Sequence, residues 1–400
     1  MPIERALRGR RTTWSGRSAY ELGNGAIRLT ALTGGGHIAS IRPDTADKES
    51  SISPLWTPPW ATIDPHDYRE RRHRRRFGTL IEGKLLSGIA GHNLCLDYFG
   101  IPSAEEVDQG LSLHGEAPSS RWRITKTSRT ARSVACEMAV PLPAAGLEFR
   151  RLITLRRGEH VVYFAETVRN QRKADHFFHW TQHVTLGPPF LTQEDVAISL
   201  PGTRAITFPH GYDEGNALLE SNREFQWPDA PKMDGGVADL TRTLIQPGLG
   251  FVVGVLIADR DMAFIAAVNR RLRLMLAYCF RRSDFPWVTV WEENRAISAP
   301  PWKARAEARG LEFGTTPLPV SRREAFLAPR LFGEPTMTFV PARGRKSVHY
   351  AAILSEVPED FGSVRDIMID DDGFQVVGKS GRSIVIRSAG ARRFIERSAD

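Results

Sequence analysis

The chain reads as an all-β protein, a large antiparallel β-sandwich, and three observations carry that expectation. Short β-branched and aromatic runs recur about every ten residues, separated by Gly, Pro and charged turns. Helical periodicity sustained over about 12 residues is scarce. The length of 400 residues, with 41% hydrophobic and 25% charged, lets two facing sheets bury a core without disulfide or metal staples.

In chain order, Ala26 to Leu32 and His37 to Arg42 flank Thr33-Gly34-Gly35-Gly36, a hairpin whose glycines permit positive φ. The clearest meander runs through Trp122 to Thr127, Ser133 to Val140, Leu147 to Leu155 and Val161 to Asn170. Its turns fall at Pro141 to Gly146 and Arg156 to Glu159. A second set comprises Phe251 to Ile257, Met262 to Val268, Leu272 to Phe280 and Trp287 to Trp291, the first two joined by Ala258-Asp259-Arg260-Asp261. Strand-like runs continue at Thr336 to Val340, His349 to Leu354 and Ser383 to Arg387. With no long linker or fixed-period repeat in view, one sandwich domain is expected over 1–325, with a β-rich extension over 326–400 packed on it.

The formal charge of +8 comes mainly from arginine. Its densest run, Arg69 to Arg76, reads as a solvated loop or as a phosphate or nucleic-acid contact. No base-reading motif accompanies it, and no nucleic-acid partner is expected. Cys95, Cys136 and Cys279 lie far apart without a CxxC pair and read as buried free thiols. Met1 to Arg5 leads into Arg8-Gly9-Arg10-Arg11 without an apolar h-region. The longest apolar stretch, Phe251 to Ala258, is far short of the roughly 20 residues that span a bilayer. A cytoplasmic protein without membrane contact is the expectation, and oligomeric state is left open because strand edges cannot be read from sequence.

Three segments place histidine or carboxylate among strand residues. In Leu111-Ser112-Leu113-His114-Gly115-Glu116, glycine beside the histidine lets a ligand or another backbone approach closely; a plain surface turn is the competing reading. In His176-Phe177-Phe178-His179-Trp180-Thr181-Gln182-His183, a helix would set His179 and His183 at metal-ligand spacing. Local composition favours a strand instead, where the two share a face about 13 Å apart at roughly 3.3 Å per residue, too far for one metal. No metal is expected, which leaves an imidazole able to exchange protons near neutral pH, or a satisfied core histidine. In Ala308-Arg309-Gly310-Leu311-Glu312-Phe313, alternation turns Glu312 away from the face of Leu311 and Phe313, toward a cleft or toward solvent. Upstream, Phe285 to Asn294 combines Trp287 and Trp291 with Glu292, a composition suited to sugar, although Trp291 could equally be core. Glu292 and Glu293 alternate faces and make a poor glycosidase pair.

In their order along the chain, these segments resemble the aldose 1-epimerase, or galactose mutarotase-like, superfamily. Leu113-His114-Gly115 with Trp122 is similar to the family's first histidine. Thr181-Gln182-His183-Val184-Thr185-Leu186-Gly187 resembles its second, and Leu311-Glu312-Phe313-Gly314 with Pro317 its catalytic glutamate. Phe285-Pro286-Trp287 to Asn294 is similar to the strand ahead of that glutamate, and Gly36 to Ile41 to the early first-sheet segment. The resemblance spans roughly residues 20 to 325. Two positions depart from the pattern: Gly88-Ile89-Ala90-Gly91-His92-Asn93 contains no arginine where the family carries a substrate-binding one, and Gln182 replaces an asparagine.

The resemblance implies a supersandwich fold and an enzyme that exchanges the α and β anomers of an aldose. In it Glu312 would be general base, His183 general acid and His114 a stabiliser of developing charge. Trp287, Trp291, Glu292 and His179 are the expected substrate-binding side chains. No metal or organic cofactor is implied. Two alternatives stand beside this reading: a noncatalytic carbohydrate-binding protein on the same fold, and a hexose-phosphate epimerase that uses the Arg69 to Arg76 run as a phosphate clamp.

Overall fold

A computed structural model describes residues 7–45, 47, 51–213 and 215–397. The N-terminal stretch Met1 to Arg5 lies outside the described residues. Two antiparallel sheets dominate. The larger has twelve strands, and its centre runs His92–Asp97, His176–Leu186, Glu307–Gly314, Trp287–Asn294 and Leu249–Ile257 as successive neighbours. The smaller has eight and contains the Arg123–Arg129, Ser133–Leu142, Leu147–Arg156 and Val161–Asn170 meander.

Alternation explains how the sheets face each other. Along Leu147–Arg156, Leu147, Phe149, Ile153 and Leu155 are buried while Arg150 and Leu152 are exposed. On the larger sheet Leu94, Trp180, Val290 and Phe313 turn toward the same core. Across the layers the rings of Phe280 and Phe313 stack with centroids 4.4 Å apart. The hairpin at Thr33 to Gly36 forms as expected, with Gly35 at φ 83 and Gly36 at φ 64. The joined runs before and after Ala258 to Asp261 are instead a crossover, since Leu249–Ile257 lies in the larger sheet and Met262–Asn269 in the smaller.

Three features depart from the sequence reading. The Arg69 to Arg76 run is a helix, Glu70–Phe77, rather than a loop. Arginine is a good helix former, Glu70 and the last-turn arginines complement the helix dipole, and Phe77 anchors the helix in the interior. A second short helix, Leu80–Leu86, follows and buries Leu85 and Leu86. The expected break at 325/326 cuts through the sandwich. Arg345–Glu356 lies between Leu274–Arg281 and Val161–Asn170 inside the smaller sheet, and Thr338–Val340 pairs with His176–Leu186. The three-stranded sheet Val364–Ile369, Gly373–Gly378 and Ser383–Arg387, with helix Ala391–Ile395, forms an outer layer, packed on the smaller sheet through Phe264, Phe361, Phe374 and Ile395. The three cysteines are buried and free. No helix among the described residues is long and apolar enough to cross a membrane.

Between the sheets runs a buried polar network. Arg151 Nε donates to Glu166 Oε1 over 2.6 Å, and its Nη1 donates to the Gly36 carbonyl over 3.0 Å. Gln182 Nε2 donates to Glu166 Oε2 over 2.6 Å, and the Tyr350 hydroxyl donates to Glu166 Oε1 over 2.7 Å. This ion pair is fully buried, so its charges are held by each other and by these hydrogen bonds rather than by water.

Candidate functional site

The opposite face of the larger sheet carries a cavity of about 480 Å³. Strand alternation selects what points into it: Gln182 and Val184 face the core while His183 faces the cavity, and Leu311 and Phe313 face the core while Glu312 faces the cavity. Register then brings these residues together, because His183 pairs with Glu312 and Glu312 with Thr289 across three adjacent strands. His183 Nε2 lies 3.2 Å from Glu312 Oε1, and both side chains are buried.

Burial decides their protonation. Removal from water pushes the Glu312 carboxyl well above its ordinary range, and no cation among the described residues opposes the shift. Burial likewise pushes His183 well below the usual histidine value, helped by the neighbouring His114. Both shifts favour the uncharged forms, a protonated carboxyl facing a neutral imidazole, over an ion pair. His183 Nδ1 is 3.0 Å from the Thr185 hydroxyl, which shares its strand face and fixes the ring.

His114 stands in a loop at φ 67, followed by Gly115 at φ 81. A side chain at Gly115 would overlap the Leu96 carbonyl, with which this segment forms a parallel bridge, so the glycine is there for backbone approach. His114 Nδ1 lies 2.6 Å from the Phe99 carbonyl. A carbonyl only accepts, so Nδ1 carries the hydrogen and Nε2 presents a lone pair in the neutral ring. Burial lowers the His114 pKa to about 4, which keeps that tautomer at neutral pH. The imidazoles of His114 and His183 are 5.0 Å apart, centroid to centroid.

Trp291 lines the cavity at the same strand face as Glu312, its ring centroid 6.1 Å from that of His183. The other expected binding residues lie elsewhere. Trp287 is on that face too but beyond the cavity, fully buried with Nε1 donating to the Pro335 carbonyl over 2.8 Å. Glu292 points toward the intersheet side, paired with Arg309 and accepting the backbone N–H groups of Leu244 and Ile245. A buried carboxylate facing arginine and two amides is fully engaged, which removes it from ligand contact. His179 does not line the cavity; its Nδ1 accepts the Phe99 N–H over 3.2 Å, so it reaches the site through the residue that holds His114.

Several contributors carried no sequence signal strong enough to single them out. Phe99 sits in a loop, stacks on His114 and fixes its tautomer. Helix Leu80–Leu86 supplies one wall, and Trp302 another. Gly310 is the case that spacing could have indicated: two residues before Glu312 on the same face, its missing side chain leaves room for the carboxylate, since a Cβ there would overlap Glu312 Oε1.

No family model and no curated protein matches this chain. Solved structures do. An aldose 1-epimerase candidate from Klebsiella pneumoniae superposes with a TM-score of 0.61 at 13% identity, over 86% of this chain and 80% of its own. A galactose mutarotase-like protein from Clostridium acetobutylicum gives 0.57 at 10% identity, over 88% and 99%. A galactose mutarotase related enzyme from Lactobacillus acidophilus gives 0.52 at 12% identity, over 85% and 99%. These likenesses show that the chain has a galactose mutarotase-like fold.

Proposed function

We propose that the protein interconverts the α and β anomers of an aldose by opening and reclosing its ring. The observation that carries this reading is the buried Glu312–His183 pair, 3.2 Å apart and facing a cavity. Anomerisation moves one proton off the C1 hydroxyl and delivers one to the ring oxygen, and a pair with a single exchangeable proton suffices for both. At rest the proton is on Glu312. Its passage across the contact to His183 creates carboxylate base and imidazolium acid together.

Glu312 then takes the C1–OH proton while the C1 to ring-oxygen bond breaks. The electron pair of the former O–H bond becomes the second bond of the aldehyde, and His183 Nε2 protonates the departing ring oxygen. Rotation about C1–C2 presents the other carbonyl face. Reclosure runs the transfers backward, Glu312 returning its proton to the carbonyl oxygen and His183 recovering its own, so the enzyme ends as it began. His114 Nε2, a lone-pair acceptor, takes a hydrogen bond from a neighbouring hydroxyl and orients the ring. Trp291 offers its face to the sugar C–H surface.

The wall argues against a phosphorylated sugar, because no lysine or arginine is among the described residues that line the cavity, and the arginines of helix Glu70–Phe77 are not part of it. Polarimetry of freshly dissolved α-glucose, α-galactose and other aldoses tests the proposal against Glu312→Gln and His183→Ala. Accelerated approach to anomeric equilibrium, lost in both variants, is the expected result. Sugar binding with no acceleration would leave the noncatalytic carbohydrate-binding reading in its place.

A further inference from the structure

The cavity wall contrasts sharply with the polyhydroxylated surface of an ordinary hexose. Leu85, Leu86, Ile89, Leu113, Ile297 and Trp302 form most of one side, continuous with a cluster in which Trp302 stacks on Trp56 at 5.9 Å and meets Trp60 edge-on at 5.1 Å. The apolar character reaches the mouth, where Ile101 lines the cavity while 53% exposed. Ile101 thus carries the apolar wall out to the rim of the cavity.

Most of the hydrogen-bond donors at the wall are already engaged, the indole N–H of Trp302 being the exception. Thr289 Oγ1 donates to the Pro317 carbonyl over 2.7 Å. The Tyr212 hydroxyl donates to Glu293 Oε2 over 2.6 Å, and Trp291 Nε1 donates to Tyr212. His114 Nδ1 is held by Phe99. No Lys, Arg, Asn, Gln or Ser stands among the described lining residues. What remains for a ligand is the Glu312–His183 pair, the Trp302 indole N–H and a few acceptors: His114 Nε2 and the carboxylates of Glu82 and Asp213. Hexose hydroxyls away from C1 that reach neither Trp302 Nε1 nor these acceptors would lose water and go unpaired. Each such unpaired group weakens binding by roughly tenfold.

We infer that the site takes an aldose whose ring hydroxyls beyond C1 are largely absent or capped, a deoxy, O-alkyl or O-acyl sugar with its anomeric hydroxyl free. The inference rests on the anomerisation reading for its chemistry and on the wall for its substrate class. The hemiacetal end meets Glu312, His183 and His114, and the apolar substituents meet the leucine, isoleucine and tryptophan wall.

The experiment compares D-glucose with 2,3,4,6-tetra-O-methyl-D-glucose, whose C1 hydroxyl is free, following anomerisation by polarimetry and binding by quenching of tryptophan fluorescence. The expected result is a kcat/KM at least tenfold higher for the capped sugar, within the roughly 10- to 200-fold that apolar pockets discriminate per group. Ile101→Asn, at an exposed position that a folding defect does not reach, should narrow the preference several-fold. Equal or better turnover of glucose overturns the substrate class and leaves anomerisation standing. Tighter binding of the capped sugar with no turnover of either supports the class and overturns the catalytic reading. Binding of neither sugar overturns the inference.

Discussion

Adjacent residues of one strand, Gln182 and His183, belong to two buried acid clusters on opposite faces of the same sheet, and the two clusters do different work. On the intersheet face Glu166 receives Arg151, Gln182 and Tyr350, so both oxygens are occupied and its charge is matched. On the cavity face Glu312 has the same degree of burial but a neutral imidazole for its neighbour and no cation. Residue type and depth alone do not distinguish a structural carboxylate from a chemical one; the partner set does. Glu166 is the counter-ion of Arg151 in a closed network, and Glu312 opens on a cavity with a carboxyl that burial pushes toward its protonated form.

The largest effect expected from breaking this contrast is kinetic. Glu312→Gln should lower anomerisation by about 10² to 10⁴-fold, read by polarimetry, while its urea midpoint stays level or rises because no buried carboxyl must be desolvated. The mirror change, Glu166→Gln, should destabilise the fold by about 3–5 kcal/mol in urea unfolding, because it leaves the Arg151 guanidinium buried without its counter-charge. Equal stability losses in the two variants would erase the comparison. Next in size, Gly310→Ala should push the Glu312 carboxylate aside and reduce kcat by roughly 10²-fold with little change in unfolding midpoint, the usual consequence of an ångström-scale misplacement. Unchanged kcat would show that the carboxylate tolerates the crowding.

A further contrast lies in pH. His114 and His179 are depressed to about 4, and His37 and His92 to about 3, all mainly by burial. As pH falls below the unfolded value near 6.5, the unfolded chain binds protons that the folded chain refuses, so stability falls with pH and goes on falling to the folded values. Each histidine contributes at most about 1.4 kcal/mol per pH unit in that window. Glu312 acts on the other side: its raised pKa means the folded form keeps a proton the unfolded form has lost, so stability declines as pH rises above about 4.5 toward the folded value. Glu312→Gln should remove the alkaline loss and keep the acid one, in urea midpoints measured across pH. The smallest change is expected for His179→Ala, which frees the Phe99 N–H and should cost about 1–3 kcal/mol of stability.

Much of this arrangement was legible in the sequence because period-2 alternation carries both layers at once. Leu311 and Phe313 around Glu312 announce which way the glutamate points, and the hairpins at Thr33 to Gly36 and Arg156 to Glu159 follow from turn chemistry. Pairing across sheets was not legible. Nothing local to Trp287 and Trp291, four residues apart on one face, says that one meets Pro335 and the other a cavity. Glu292 likewise looked free because Arg309 is seventeen positions away in sequence and adjacent only through strand register. The arginine run was misjudged for a different reason: eight residues are too few for a visible amphipathic period, and only Phe77 signals the buried side.

The proposed chemistry depends on where one proton resides. Infrared difference spectroscopy of the wild-type protein against Glu312→Gln at neutral pH tests it most directly. The prediction is a carbonyl stretch of a protonated carboxyl in the wild type that vanishes on substitution. A difference spectrum with only carboxylate bands would place the charge on Glu312 and contradict the neutral pair from which both the proposed chemistry and the contrast with Glu166 are drawn.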